Sequence, residues 1–317
     1  LLGTIPFEIS YNYDLSIVAL FVLMGNFAMV SGMSRDLYTL ARSLVGHWPG
    51  GLASATIVGC AGFAAVSGSS LASAVTMGRV SLPEMERYKY HPRLATGCVA
   101  AGGTLGILIP PSTGFIIYAL LTEESIGQLF LAGVLPGIML TGLFMMTIYL
   151  LTRINPEIGP AADRLAWREK ISAIGRASTL IAIVVIVLGG MYIGVFTPVE
   201  AAAVGAFLTF LLMIFRKKVN LQTMKFCILE TIKTFAMVYL IVIGAFIFNP
   251  FLAVTHLPAD LAQMVAGLDL SPTGVLVLII FGYIVLGTFL EGFAIMVLTI
   301  PIVFPMITTM GFDPIWF

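Results

Sequence analysis

Stretch after stretch of this chain runs for about 20 residues almost without charge: Leu15 to Met33, Ala95 to Leu121, Leu129 to Leu151, Thr179 to Val195 with its return partner Val199 to Phe215, and Thr234 to Phe251. A helix of about 20 apolar residues crosses the roughly 30 Å of bilayer hydrocarbon. Lipid offers no partner to an exposed backbone amide or carbonyl, so such runs fold as helices or not at all. The chain is therefore restricted to an all-α polytopic membrane architecture. Composition agrees, with 59% hydrophobic residues, 10% charged and a mean hydropathy of +1.04, far outside the range of soluble domains. Sixteen basic and sixteen acidic residues leave no net charge. Nucleic acid is thus not an expected partner, and membrane lipid is.

Two regions of similar hydropathy break the pattern. Gly51 to Leu82 and Thr273 to Pro305 are each about 32 residues long, interrupted near the centre by "SGSS" at Ser67 to Ser70 and by "TFLEG" at Thr288 to Gly292. Each half is about 15 residues, near 23 Å at 1.5 Å per residue, which is short for a span. Two re-entrant helical hairpins with polar tips buried in protein fit better. Amphipathic segments precede both hairpins, Ser34 to Gly46 and Leu257 to Leu268, and are expected to lie in the interface plane.

All sixteen basic residues fall in or beside five regions: Arg35 and Arg42; Arg79 to Arg93; Arg153 to Arg176; Arg216 to Lys225; and Lys233. The turns at Thr122, Phe196 and Thr308 have none. If each hairpin returns to its own side, every basic region lies on one face, which the positive-inside rule makes cytoplasmic. The first hairpin then opens inward and the second outward. Weak internal matches, Pro83 with Pro305, Pro92 with Pro314 and Ala72 with Ala294 at an offset of 222, accompany this opposed order. Inverted repeats with discontinuous helices are the architecture of secondary transporters.

The apolar run from Ala95 to Leu121 holds Pro110 and Pro111 at its middle, among Gly102, Gly103, Gly106 and Gly114. Pro111 removes the amide that would bond the Ile107 carbonyl, and Pro110 does the same to Gly106. Freed carbonyls beside Ser112 and Thr113 suit a hard cation such as sodium; the bland reading is a proline kink relieved by a neighbouring helix. At "SGSS", hydroxyls and helix ends suit an ion or a carboxylate, and small-residue helix packing accounts for the cluster equally well. Glu291 lies well inside an apolar stretch, where a carboxylate is either functional or a protonated, hydrogen-bonded core residue. Asn26 and Asn249 are expected to cap span ends, Arg79 to snorkel to the cytoplasmic face, and Cys60, Cys98 and Cys227 to pack. His47, His91 and His256 make no metal set. An intramembrane hydrolase needs a base near a tip serine, and no His lies in an apolar segment.

The run "SGSSLASAVTMGRVSLPEMERYKYHPRLATGCVAAGGTLGILIPPS", followed by "SIGQLFLAGVLPG", "GVFTPVEAAAVGA" and "GTFLEGFAIMVLTIPIVFPMITTMGFDPIWF", resembles the large membrane subunit of tripartite ATP-independent periplasmic (TRAP) transporters, the DctM-like family. The resemblance implies an elevator-type, sodium-coupled importer of C4-dicarboxylate-like or other organic acids in the bacterial inner membrane. It implies two protein partners, a small four-helix membrane subunit and a periplasmic substrate-binding protein, and no cofactor beyond the coupling ion. By motif, Ser67, Gly68, Ser69 and Ser70 form the first tip. Gly103, Thr104, Gly106, Ile109, Pro110, Pro111 and Ser112 form the unwound span, and Thr288, Glu291 and Gly292 the second tip. Sodium is assigned to Ser67, Ser69, Gly106 and Ile109, and again to Glu291, where family members often carry Asp. The closest alternative is a single-component sodium/carboxylate symporter.

The implied organisation is a scaffold span at 1–33, an interfacial arm at 34–50, the first hairpin and broken span at 51–128, scaffold spans and cytoplasmic loops at 129–256, a second arm at 257–271 and the second hairpin at 272–317. The family's second broken span would follow Phe317, so the chain reads as a fragment lacking both ends.

Overall fold

A computed structural model describes residues 4–255, 260 and 271–317. Among these residues the fold is entirely helical. After a short helix α1 (Thr4–Ser10), α2 (Leu15–Ser31) ends at Gly32, whose φ of +84° is a left-handed conformation that glycine adopts without steric cost. The chain turns there by 69° into α3 (Met33–Val45). The second amphipathic segment, Leu257 to Leu268, lies outside the described residues apart from Asp260.

Small residues set the packing of α2. The α10 helix (Pro198–Phe215) presents Ala201, Ala202, Gly205 and Ala206 to it, all buried. A Cβ at Gly205 would lie 2.4 Å from the Met24 sulfur. That close approach is what draws helices together where lipid and side chains are equally apolar. The α9 helix (Trp167–Tyr192) packs on both α3 and α10, and α11 (Leu221–Val254) on α2. Outward faces carry large apolar side chains, such as Leu135, Val185 and Leu240, more than 60% exposed. In a membrane bundle such faces meet lipid.

The two interrupted regions each form a pair of packed helices: α4 (Gly51–Ser67) with α5 (Ser70–Arg87), and α12 (Pro272–Gly287) with α13 (Gly292–Thr309). Between them the apolar run with two prolines divides into α6 (Pro92–Thr104), a 3-10 turn at Leu105–Ile107 and α7 (Thr113–Thr122), followed by α8 (Ile126–Ile154). Among the described residues five helices, α8 to α11 and α13, are long and apolar enough to cross a bilayer. The expectation that neither half of the second hairpin reaches spanning length holds for α12 and not for α13. Both α9 and α11 begin more than ten residues before their apolar runs, because the polar stretches Trp167 to Arg176 and Leu221 to Lys233 are themselves good helix formers.

Asn26 is a correction to the sequence reading. It lies inside α2 and caps nothing. Its amide donates to Thr231 Oγ1 at 2.9 Å and to the Cys227 carbonyl at 3.4 Å, tying α2 to α11. Asn249 likewise sits within α11. The three cysteines are buried and unpaired.

At the basic face, ion pairs anchor α3. Arg216 at the end of α10 contacts Asp36 at 2.6 Å and donates to the Ser31 carbonyl at 3.1 Å. Arg42 pairs with Glu84 of α5 and donates to the Tyr88 hydroxyl, which itself donates to Asp163 at 3.1 Å. Through these contacts α3 is bonded both to α10 and to the first hairpin.

Candidate functional site

The tip of the first hairpin is only two residues long. Ser67 ends α4, and Gly68 closes it with φ +60°, its N–H reaching the Ala64 carbonyl at 3.1 Å. Ser69 then turns extended and caps α5, its hydroxyl accepting from the Ala72 amide at 3.4 Å. Serine is favoured here because its oxygen satisfies an amide that the new helix leaves unpaired. Ser67 Oγ lies 2.8 Å from Ser73 Oγ, both buried. The hydroxyl of Ser67 is thus held against the first turn of α5.

The break in the α6–α7 run is built by the same local chemistry. Pro110 and Pro111 supply no N–H, and the helix stops at the 3-10 turn, where the amides of Leu108 and Ile109 both reach the Leu105 carbonyl. The bond between the prolines is cis. Ser112 restarts the chain as the cap of α7, accepting from the Phe115 amide at 3.4 Å while its own hydroxyl donates to the Ile107 carbonyl. One of the two carbonyls left free by the prolines is therefore satisfied internally. Gly106 has lost the amide of Pro110 in the same way.

Tip and break are in contact. Thr113 donates to the Gly68 carbonyl twice, through Oγ1 at 2.7 Å and through its amide at 3.2 Å. A Cβ at Gly68 would meet the Pro111 carbonyl oxygen at 2.7 Å. One at Gly106 would meet the Ser69 carbonyl oxygen at 2.4 Å, and one at Gly103 the Ala74 Cβ at 2.7 Å. The glycines are there because two backbones touch. Thr113 was not among the sequence-assigned site residues, although a hydroxyl directly after the proline pair was the available signal.

Four helix ends consequently converge. The C-termini of α4 and of the α6 turn bring carbonyls, the negative end of the helix dipole; the N-termini of α5 and α7 bring the positive end. Carbonyl ends suit a cation and amide ends an anion.

The second tip runs from Thr288 to Glu291. Thr288 Oγ1 bonds back to the Val285 carbonyl at 2.7 Å, and Glu291 caps α13, its Oε2 accepting from the Phe293 amide at 2.9 Å. Glu291 is exposed, not the buried core acid of the bland reading. It lines two cavities. One, of about 1010 Å³, also has Ser67, Ser69, Ser70, Gly103 and Thr104 in its wall. The other, of about 610 Å³, has Ile107, Leu108, Gly114 and Gly292. The structure thus brings the first tip, the edge of the break and Glu291 around shared space. Of the assigned residues, Gly68, Gly106, Ile109, Pro110, Pro111, Ser112 and Thr288 line neither cavity; the Ile109 side chain packs against Gly137 of α8, and the Thr104 hydroxyl bonds the Ala101 carbonyl. Arg79, expected only to snorkel, is exposed and borders the larger cavity together with Glu230.

A family model described as "Tripartite ATP-independent periplasmic transporter, DctM component" matches residues 9–317. The chain is similar to the C4-dicarboxylate TRAP transporter large permease protein DctM of Pseudomonas aeruginosa, 38% identical over 310 residues that cover 98% of this chain and 72% of the relative. It is 34% identical over 308 residues to the sialic acid TRAP transporter large permease protein SiaM of Vibrio cholerae, covering 96% of this chain and 71% of the relative. To the isethionate TRAP transporter permease protein DctMQ of Oleidesulfovibrio alaskensis it is 34% identical over 308 residues, 96% of this chain and 48% of the relative.

Proposed function

The chain belongs to the DctM family of TRAP transporter large permeases, and from that premise we propose that it carries a small organic acid across the bacterial inner membrane, coupled to sodium, by an elevator motion. Its relatives are permeases and not enzymes. The observation that carries the reading is the contact of the "SGSS" tip with the proline break, where carbonyl ends and amide ends of four helices meet beside a cavity of about 1010 Å³.

In this mechanism sodium takes oxygens from Ser67, Ser69, Gly106 and Ile109, replacing part of its hydration shell with hydroxyls and helix-end carbonyls. The substrate carboxylate lies against the amide ends of α5 and α7, so ion and substrate stabilise each other's charge. Coupling follows: neither charge is compensated without the other. A second ion at Glu291 of the outer hairpin completes the arrangement, and the opposed hairpins form the inverted repeat about the midplane. The mobile part, 51–128 with 272–317, moves against the scaffold packed around α2, α10 and α11. The arm α3, ion-paired to both through Arg42 and Asp36, joins the two.

The partners proposed are a small four-helix membrane subunit that widens the scaffold and a periplasmic binding protein that delivers the substrate. C4-dicarboxylate, sialic acid and isethionate, named for the relatives, are anions and set the class to screen. The test is uptake in proteoliposomes. Accumulation is expected only with an inward sodium gradient, the small subunit and the binding protein together. Robust uptake by the large permease alone would instead make it a single-component sodium/carboxylate symporter.

A further inference from the structure

A cleft of about 550 Å³ lies between α6 and α8 and shares no lining residue with either cavity at the tips. Its walls are apolar, with Gly97 and Ala101 on α6, Phe144 and Ile148 on α8, and Ile57 of α4 behind them. One end is polar, formed by Arg93 in the first turn of α6, His91 as its cap and Asn155 at the end of α8. From Ala101 to Arg93 the helix advances about 12 Å at 1.5 Å per residue. The cleft is therefore long, greasy and tipped by a cation.

Three observations limit what fills it. A Cβ at Gly97 would meet nothing within 4 Å, so the groove is open in front of α6. The neighbouring surface of α8, Leu143, Met146 and Leu150, is about half exposed and apolar, as a hydrocarbon-facing surface is. No Asp or Glu lines the cleft, and Arg93 forms no ion pair among the described residues. An apolar groove at a lipid-facing surface takes hydrocarbon, and an uncompensated guanidinium at its end takes an anion. Basic pockets between membrane helices near the cytoplasmic face hold anionic headgroups in this way.

We propose that this cleft binds an anionic phospholipid, with one acyl chain lying between α6 and α8 and the phosphate on the Arg93 guanidinium and the Asn155 amide. Charge complementarity selects an anionic over a zwitterionic headgroup, because no carboxylate among the described residues meets Arg93. The open space at Gly97 is the seat of the chain.

The test uses the complete transporter, purified in mild detergent and incubated with mixed micelles of phosphatidylglycerol or of phosphatidylcholine. Retained lipid is counted by native mass spectrometry. Wild type is expected to keep phosphatidylglycerol in preference to phosphatidylcholine. Arg93→Gln should lower retained phosphatidylglycerol about fivefold, the contribution of one basic residue at an anionic surface, and leave phosphatidylcholine unchanged. Gly97→Phe puts a ring into the groove from a position where an added Cβ meets nothing within 4 Å and should lower both. A photo-crosslinking residue at Thr147 should add the mass of a phospholipid. The proposal is overturned if both variants keep wild-type phosphatidylglycerol, if soluble glycerol phosphate competes as well as the lipid, or if the Thr147 adduct is a polypeptide.

Discussion

Gly106→Ala adds one methyl group, and the structure says where it goes. The new Cβ would lie 2.4 Å from the Ser69 carbonyl oxygen, 2.6 Å from its carbon and 2.8 Å from the Ser70 nitrogen. All three are backbone atoms of the first hairpin tip, so no rotamer change relieves the clash. To restore an ordinary contact of 3.4 Å, tip and break must part by about 1 Å. Overpacking of this kind costs about 1–3 kcal/mol. If it falls on the ion-bound state, that is roughly a 5- to 150-fold weaker sodium response. The assay is uptake in proteoliposomes titrated with sodium, paired with thermal unfolding of the purified transporter with and without sodium. Half-saturation should move to higher sodium, and the stabilisation conferred by sodium should shrink, since only binding to the native state contributes it. Gly175→Ala in α9, with nothing within 4 Å of the added group, is the control; it should transport normally and be slightly more stable, because alanine is the better helix former. A folded Gly106→Ala transporter whose sodium response matches wild type would refute the argument that tip and break form the ion site.

Glu291→Gln keeps an oxygen to cap the Phe293 amide and removes only the charge, so it should weaken the sodium dependence of uptake several-fold without changing expression, while Ser69→Ala acts in the same direction more mildly. An unchanged sodium titration in Glu291→Gln would remove that residue from the site. Thr113→Val deletes the 2.7 Å bond to the Gly68 carbonyl and leaves the 3.2 Å amide bond; a loss of about 0.5–1.5 kcal/mol should speed hydrogen exchange around Gly68 and Ser69 severalfold, and unchanged exchange counts against the tie. Cysteines at Glu124 and Thr309 should label from the periplasm, and those at Tyr88 and Trp167 should not; labelling of Tyr88 and Thr309 from one side would end the inverted repeat.

Much of the architecture is legible in single residues. Hydropathy run by run specifies helices in lipid, because unsatisfied backbone is intolerable there. The breaks are equally local: a serine with a free oxygen starts α5 and another starts α7, and two prolines stop the helix between them. The glycines at 68, 103 and 106 signal a close approach, though not what approaches. Where the apolar runs thin out the reading fails, as at α9 and α11, since a helix does not end where hydrocarbon does.

What only the tertiary structure decided is which groups meet. Asn26 reads as a cap by type, yet it cross-links α2 to α11 over a separation of 205 residues. Thr113 reaches Gly68 across 45 residues, and Glu291 joins the cavity of the first tip from a hairpin more than two hundred residues away. The Ile109 side chain meets Gly137 of α8, 28 residues further along the chain. Hydropathy, caps and prolines act through a residue's own backbone and the solvent around it, so their effects are written locally. A contact between distant residues depends on how every intervening helix packs, and in a bilayer, where lipid and protein interior are equally apolar, that packing is set by shape complementarity between faces no single stretch of sequence contains.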